Sequence, residues 1–129
     1  MIHKEGVLQV AAEHVDQYGH VNYKAILSIL EPFQDEVVAS CGGFEGLEII
    51  HGLKSFVKKL EVIWSGQLYA EKSYNVSTRL ELGRTSLTFE HLIASGDTIV
   101  ASLKMVVVMV DKNDKPTPIP MEIREKLNI

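Results

Sequence analysis

One stretch of helical periodicity standing ahead of several stretches of strict alternation constrains this chain more than anything else in it. From Tyr23 to Ala39 the apolar residues Ile26, Ile29, Leu30, Phe33 and Val37 recur on one helix face, with Lys24, Ser28, Glu31 and Asp35 opposite. Ala25, Ile26 and Leu27 crowd the start, so its first turns are expected to be buried on most sides. Pro32 should kink the helix or remove one backbone bond, and Gly42-Gly43 should stop it. The period then changes to two. Phe56, Leu60, Val62 and Trp64 alternate with Lys59 and Glu61, and Tyr74, Val76, Thr78, Leu80 and Leu82 with Asn75, Ser77, Arg79 and Glu81. Leu87, Phe89, His91 and Ile93 make a third strand, Ser95-Gly96-Asp97 a hairpin turn, and Ile99 to Val110 a returning strand apolar on both faces at its end. Val7 to Ala11 supplies a shorter strand at the N-terminus. Turns at Ser65-Gly66 and Gly83-Arg84 complete the meander, and the Pro-rich stretch 116–120 is a rigid exit into a short surface helix, Met121 to Leu127.

About five strands and one long helix form an α+β pattern in which a curved antiparallel sheet must cover a central helix. At 129 residues the chain is read as a single domain, 1–129. A hydrophobic fraction of 46% with 23% charged residues is that of an ordinary soluble protein, and a net charge of -4 argues against a nucleic-acid partner, which calls for a basic face. The longest apolar run, Met105 to Val110, is six residues, far short of the roughly 20 that span a bilayer, so no membrane partner is expected. The start of the chain lacks a basic-then-apolar leader and Cys41 is the sole cysteine, which points to the cytoplasm. Cys41 beside Gly42-Gly43 is read as a buried structural thiol rather than a nucleophile.

The segment that can carry chemistry is Glu13-His14-Val15-Asp16-Gln17-Tyr18-Gly19-His20-Val21-Asn22-Tyr23. It sets a carboxylate, Asp16, shortly before a Gly-His pair at the start of the helix. Asn22 is read as the N-cap and Tyr23 as the first helical residue. A helix start presents unpaired N–H groups and a partial positive charge, so a carbonyl oxygen gaining charge is stabilised there without a cation. An acid held beside it could attack, or deliver water to, a carbonyl polarised by those groups. Taken alone, Asp16 has an equally simple reading as a cap or turn residue. His14, Asp16 and His20 form a loose His-x-Asp set, but no fourth ligand lies at a recognisable spacing, so no metal is expected.

Asp16-x-x-Gly19-His20-Val21-Asn22 followed by Tyr23 and by Ile29-Leu30-Glu31 resembles the 4-hydroxybenzoyl-CoA thioesterase family of hot-dog proteins. Gly66 with Leu68, Gly83-Arg84-Thr85-Ser86, and Lys115-Pro116-Thr117-Pro118-Ile119-Pro120 fall in that family's order, so the resemblance covers nearly the whole chain. It implies a hot-dog fold and hydrolysis of an acyl-CoA to free acid and coenzyme A, without metal or redox cofactor. Asp16 would be the essential carboxylate, as nucleophile or as general base, and the Tyr23 amide would point at the thioester oxygen. His20 would orient the loop, bind substrate or serve the leaving thiolate as an acid. Gly19 and Asn22 would shape the substrate site, Glu31 would lie near it as the competing base, and Arg84, Thr85 and Ser86 would border the acyl-CoA cleft. The resemblance also implies a homodimer or homotetramer. Two alternatives on the same fold remain, an enoyl-thioester hydratase or dehydratase and a non-catalytic acyl-CoA-binding module. The Asn-x-x-His pattern of the former is missing between Asp16 and His20, and Asp16 itself argues against the latter.

Overall fold

The change of period falls where the backbone changes from helix to sheet. The computed structural model describes residues 2–127. A strand β1 (Ile2–Gln9) precedes helix α1 (Tyr23–Val37); a short helix α2 (Gly43–Ile49) follows, then strands β2 (Lys54–Trp64), β3 (Ser73–Leu82), β4 (Ser86–Ser95) and β5 (Thr98–Val110), and a last helix α3 (Met121–Leu127). The strands form one antiparallel sheet in the order β1-β3-β4-β5-β2.

Alternation decides which face of that sheet is covered. Tyr74, Val76, Thr78 and Leu80 of β3 and Leu87, Phe89, His91 and Ile93 of β4 are all buried on one face. Ile26, Ile29, Leu30, Gln34 and Val37 of α1 are buried as well. The core divides in two: Ile26, Ile29 and Leu30 join Val76, Ile93 and Leu103, while Val37 and Val38 join Leu80, Phe89 and Met109, closed off by Leu47 of α2 and Ile123 and Leu127 of α3. Gly6 of β1 has a specific task, because a Cβ there would stand 2.8 Å from the Phe33 ring of α1.

The α+β class with a five-stranded antiparallel sheet is as expected, with differences in the helical layer. α1 continues through Pro32, spans fifteen residues and ends at Val37, not Ala39. Pro32 is exposed, so the bond it denies the Ser28 carbonyl is lost on the open side of the helix. The start of α1 is not buried on most sides, since Tyr23 is 70% and Leu27 39% exposed in the single chain. Gly42, at φ +83°, ends the helical region and launches the unforeseen α2, whose Phe44 N–H donates to the Asp35 carboxylate at 2.9 Å. β1 begins at Ile2 rather than Val7; His3, Lys4 and Glu5 lie opposite Arg79, Thr78 and Ser77 of β3, held by the ladder and not by burial. β2 is a sheet edge with a bulge at Lys58; of the four residues expected on its inner face Val62 and Trp64 are half-buried, while Phe56 and Leu60 are exposed, as are Val57 and Ile63. Among the described residues no helix is long and apolar enough to cross a membrane.

Candidate functional site

The loop between β1 and α1 is a small hairpin. Val15 and Val21 pair across it, the Asp16 N–H donates to the His20 carbonyl at 3.1 Å, and the Gly19 N–H returns to the Asp16 carbonyl at 3.0 Å. Gly19 closes that turn at φ +81°, with nothing within 4 Å of where a Cβ would stand, so glycine is required by backbone conformation rather than by close approach. The base of the hairpin is tied to the chain ahead of β3, where Val21 N–H donates to the Leu68 carbonyl at 2.9 Å and Glu71 N–H to the Val10 carbonyl at 2.8 Å.

Asp16 is half-buried, and its Oδ1 accepts the Tyr18 N–H at 2.9 Å. This Asx turn holds the carboxylate through one oxygen and leaves Oδ2 without a protein donor among the described residues. Asn22 caps α1 as expected, its Oδ1 accepting the Lys24 and Ala25 amides at 3.0 Å each, while the Ile26 amide bonds the Asn22 carbonyl at 3.2 Å. The cap thus satisfies two amides of the first turn and leaves that of Tyr23 without an acceptor among the described residues. The Tyr23 phenol, on a side chain 70% exposed, has no part in this.

His20 lies between two tyrosines, stacked on Tyr18 at a centroid distance of 6.1 Å and edge-on to Tyr69 at 5.9 Å. Lys72 lies over the Tyr69 ring at 5.0 Å. Nothing in the sequence singles out Tyr18, Tyr69 and Lys72; isolated surface aromatics carry no periodic signal. His14 turns away, its Nδ1 accepting the Ala11 N–H at 3.1 Å. Among the described residues no group of three or more His, Cys, Asp or Glu side chains is placed to hold a metal ion.

A groove of about 760 Å³ opens one turn beyond Tyr23, between the exposed side of α1 and the β2 edge. Leu30, Leu60, Leu103, Met105 and Val107 give it an apolar lining, and Glu31, Asp35 and Glu45 add carboxylates. Glu31 belongs to this groove, which Asp16 does not line. Gln34 is the polar residue that the helical pattern does not flag: it sits in the apolar stripe of α1, 6% exposed, with Nε2 3.9 Å from the Met105 sulfur.

Arg84, Thr85 and Ser86 are not brought to Asp16 within one chain. They form the turn at the far end of β3, a strand of ten residues and so about 30 Å long. There the Thr85 carbonyl accepts from Met109, the Arg84 carbonyl from Ile119, and the Arg124 guanidinium donates to the Gly83 and Arg84 carbonyls at 2.6 and 3.1 Å. The Ser86 carbonyl accepts the Gly83 amide at 2.8 Å. In the single chain this turn anchors the C-terminal segment. Cys41 is buried, and burial pushes its thiol up from the ordinary value, as suits a structural residue.

A five-stranded antiparallel sheet with a helix across one face defines a scaffold of the hot-dog kind, and the segment leading into that helix carries the pinned Asp16 and the spare Tyr23 amide. The chain belongs to the thioesterase-like superfamily, whose family model matches residues 10–127. Among solved structures it is similar to a thioesterase from Thermus thermophilus complexed with coenzyme A and Zn, at 27% identity and a TM-score of 0.79, over 96% of this chain and 90% of that one. It also resembles a hypothetical protein from Aquifex aeolicus at 24% identity and a TM-score of 0.85, over 96% and 98%. A 1,4-dihydroxy-2-naphthoyl-CoA thioesterase from Synechocystis superposes with a TM-score of 0.85 at 11% identity, over 98% and 96%, a likeness of fold alone. No curated protein matches the chain. Membership of this superfamily supports thioester hydrolysis in general.

Proposed function

We propose that the protein is an acyl-CoA thioesterase, working as a homodimer or a dimer of dimers around the α1 helix. The observation that carries the reading is that Asp16, held opposite His20 three residues before the helix with one oxygen free, and the spare Tyr23 amide belong to the same segment leading into α1. The superfamily supports the thioester bond as the target, and the coenzyme A held by the Thermus structure supports the thiol partner.

In this reading the thioester oxygen accepts the Tyr23 N–H, a bond that strengthens as the oxygen gains charge. The free Asp16 Oδ2 then either takes a proton from a water whose oxygen adds to the carbonyl carbon, or adds to that carbon itself to give an anhydride that water opens. In both routes the C–S bond breaks, the electron pair leaves on sulfur, and the products are the acid and coenzyme A. His20, held between Tyr18 and Tyr69, is the group that would hand a proton to the departing sulfur. Gly19 and Asn22 hold this geometry, and Glu31 lines the groove into which the acyl group runs. The exposed apolar β2 edge favours a second copy across it. No cofactor enters, coenzyme A being part of the substrate. Arg84, Thr85 and Ser86 border the cleft only if a second copy brings its own turn to it.

Asp16→Asn keeps the size and the Tyr18 hydrogen bond but removes the charge. With a panel of acyl-CoA esters and a thiol-reactive dye, turnover should fall by about 10²- to 10⁴-fold while the fold survives. Glu31→Gln should cost much less. Near-normal turnover in Asp16→Asn with abolition in Glu31→Gln would move the chemistry to the helix carboxylate. If no thioester in the panel were cleaved, the enzymatic reading would fall.

A further inference from the structure

A histidine that moves a proton is ordinarily oriented by a hydrogen bond from one ring nitrogen to a carboxylate or a backbone carbonyl. The His20 imidazole has no hydrogen bond or ion pair among the described residues. Asp16, opposite it in the hairpin, is bonded through Oδ1 to the Tyr18 N–H instead. What orients His20 is a pair of rings. Tyr18 lies nearly parallel to it, at 19° and 6.1 Å, and Tyr69 nearly perpendicular, at 85° and 5.9 Å, the two geometries that aromatic pairs favour. Contacts in two almost orthogonal planes limit both the tilt and the rotation of the imidazole while leaving its nitrogens open to a substrate. Each ring stands on fixed backbone. The Tyr18 N–H is bonded to the Asp16 carboxylate at 2.9 Å, so one residue holds the acid through its amide and the imidazole through its ring. Tyr69 pairs with His20 at the base of the hairpin, its N–H donates to the hydroxyl of the buried Tyr74 at 2.8 Å, and Lys72 covers its ring. Burial does not account for either side chain, since Tyr18 is 72% and Tyr69 44% exposed in the single chain.

Resting on the thioesterase reading above, we infer that Tyr18 and Tyr69 are positioning residues, which act through His20 by holding its imidazole where the departing sulfur needs a proton. Neither ring touches the reacting atoms. An imidazole free to change rotamer would spend much of its time away from the sulfur, and a displacement of about 1 Å at a reacting centre can cost on the order of 10²-fold in rate. The contacts are ring to ring, and neither phenol hydroxyl has a hydrogen bond among the described residues, so phenylalanine serves in place of either tyrosine. Removing the Tyr18 ring leaves the acid as it was, because Asp16 is held by the amide and not by the side chain.

The test is a double-mutant cycle on the intact protein, read as kcat and KM for an acyl-CoA that the wild type cleaves. His20→Gln should lower kcat by about 10²-fold, the loss of a positioned acid. Tyr18→Leu and Tyr69→Leu should each lower kcat by about tenfold with KM changed by less than about twofold, and Tyr18→Phe and Tyr69→Phe should restore it. In the His20→Gln background each leucine substitution should cost less than about twofold, because the group through which the ring acts is gone. The S-phenyl thioester of the same acid, whose more acidic thiol leaves without a proton, should be spared in both leucine variants. Equal losses with and without His20, or equal losses with the two esters, would assign the rings to folding of the hairpin and overturn the inference. Phenylalanine variants as slow as the leucine ones would overturn it too. Near-normal turnover in His20→Gln, a result that needs no tyrosine variant, would overturn it and leave the thioesterase reading standing. Failure of the wild type to cleave any thioester would instead remove the function on which it rests.

Discussion

His91 offers a quantitative test of how the core is built. It lies on the covered face of β4, fully buried, with Nδ1 2.8 Å from the Thr78 hydroxyl and Nε2 without a partner among the described residues. Burial lowers its pKa from the ordinary 6.5 to about 4, because a charged imidazole would lose its hydration. In the unfolded chain the ring takes up a proton near pH 6.5, and in the folded chain only near 4. Between those values the unfolded state binds more protons, so the stability present above pH 6.5 is lost as the pH falls and is gone below about 4. Worked from these two values, the loss relative to pH 7 is about 1 kcal/mol at pH 5.5 and about 3 kcal/mol at pH 4. The double variant Thr78→Val, His91→Leu removes the titrating ring and its hydroxyl partner together, so no new buried polar group is stranded. Urea denaturation of both proteins at pH 7, 5.5 and 4 gives the comparison. The variant should lose that much less stability over the range, its carboxylates titrating as in the wild type. Equal losses in the two proteins would show that His91 does not stay neutral in the folded core.

Other expectations follow from the same geometry. Asn22→Ala strips the cap from two amides of α1 and should cost about 1 kcal/mol in denaturant unfolding, with reduced turnover because the helix start frays at the Tyr23 amide. Light scattering at micromolar concentration should give a dimer or tetramer, and a monodisperse monomer would refute the reading of the β2 edge. Raising the ionic strength should raise KM for acyl-CoA more than for a short acyl-pantetheine, since a protein of net charge -4 must meet the phosphates with local cations such as Lys58, Lys59, Arg79 or Arg84; equal responses would remove that argument.

Much of this architecture can be read from residue pattern, and the exceptions share a cause. β3 and β4 are legible to within a residue or two because one face is buried and the other is not, which is the condition under which alternation appears. Asn22 and Gly19 are legible because a cap and a positive φ admit few residue types. α2 escapes notice because two of its seven residues, Gly43 and Gly46, are glycines, the latter pressed against the Cys41 carbonyl. The first half of β1 is polar, and pairing alone makes it a strand. Gln34 looks like one more polar helix residue, since sequence does not say how wide the buried stripe is. Arg84 to Ser86 look like site residues because a turn motif carries no record of which end of a sheet it lies at.

The strand order has a consequence for how the chain comes to be folded. β2 pairs only with β5, Lys54 with Val110 and Trp64 with Ala101, while β3, β4 and β5 form a continuous meander of neighbours. During synthesis from the N-terminus, β2 leaves the ribosome well before any of its hydrogen-bonding partners exist. Until β5 follows, Phe56, Val57, Leu60, Val62 and Ile63 travel as an unpaired apolar ribbon, the kind of segment that captures other nascent chains. Lys58 and Lys59 interrupt that ribbon at its middle, and Lys58 later becomes the bulge. Two charges flanked by apolar residues are the gatekeeper pattern that slows self-association, so replacing both with valine should lower the soluble yield on expression even where the finished fold would tolerate the change.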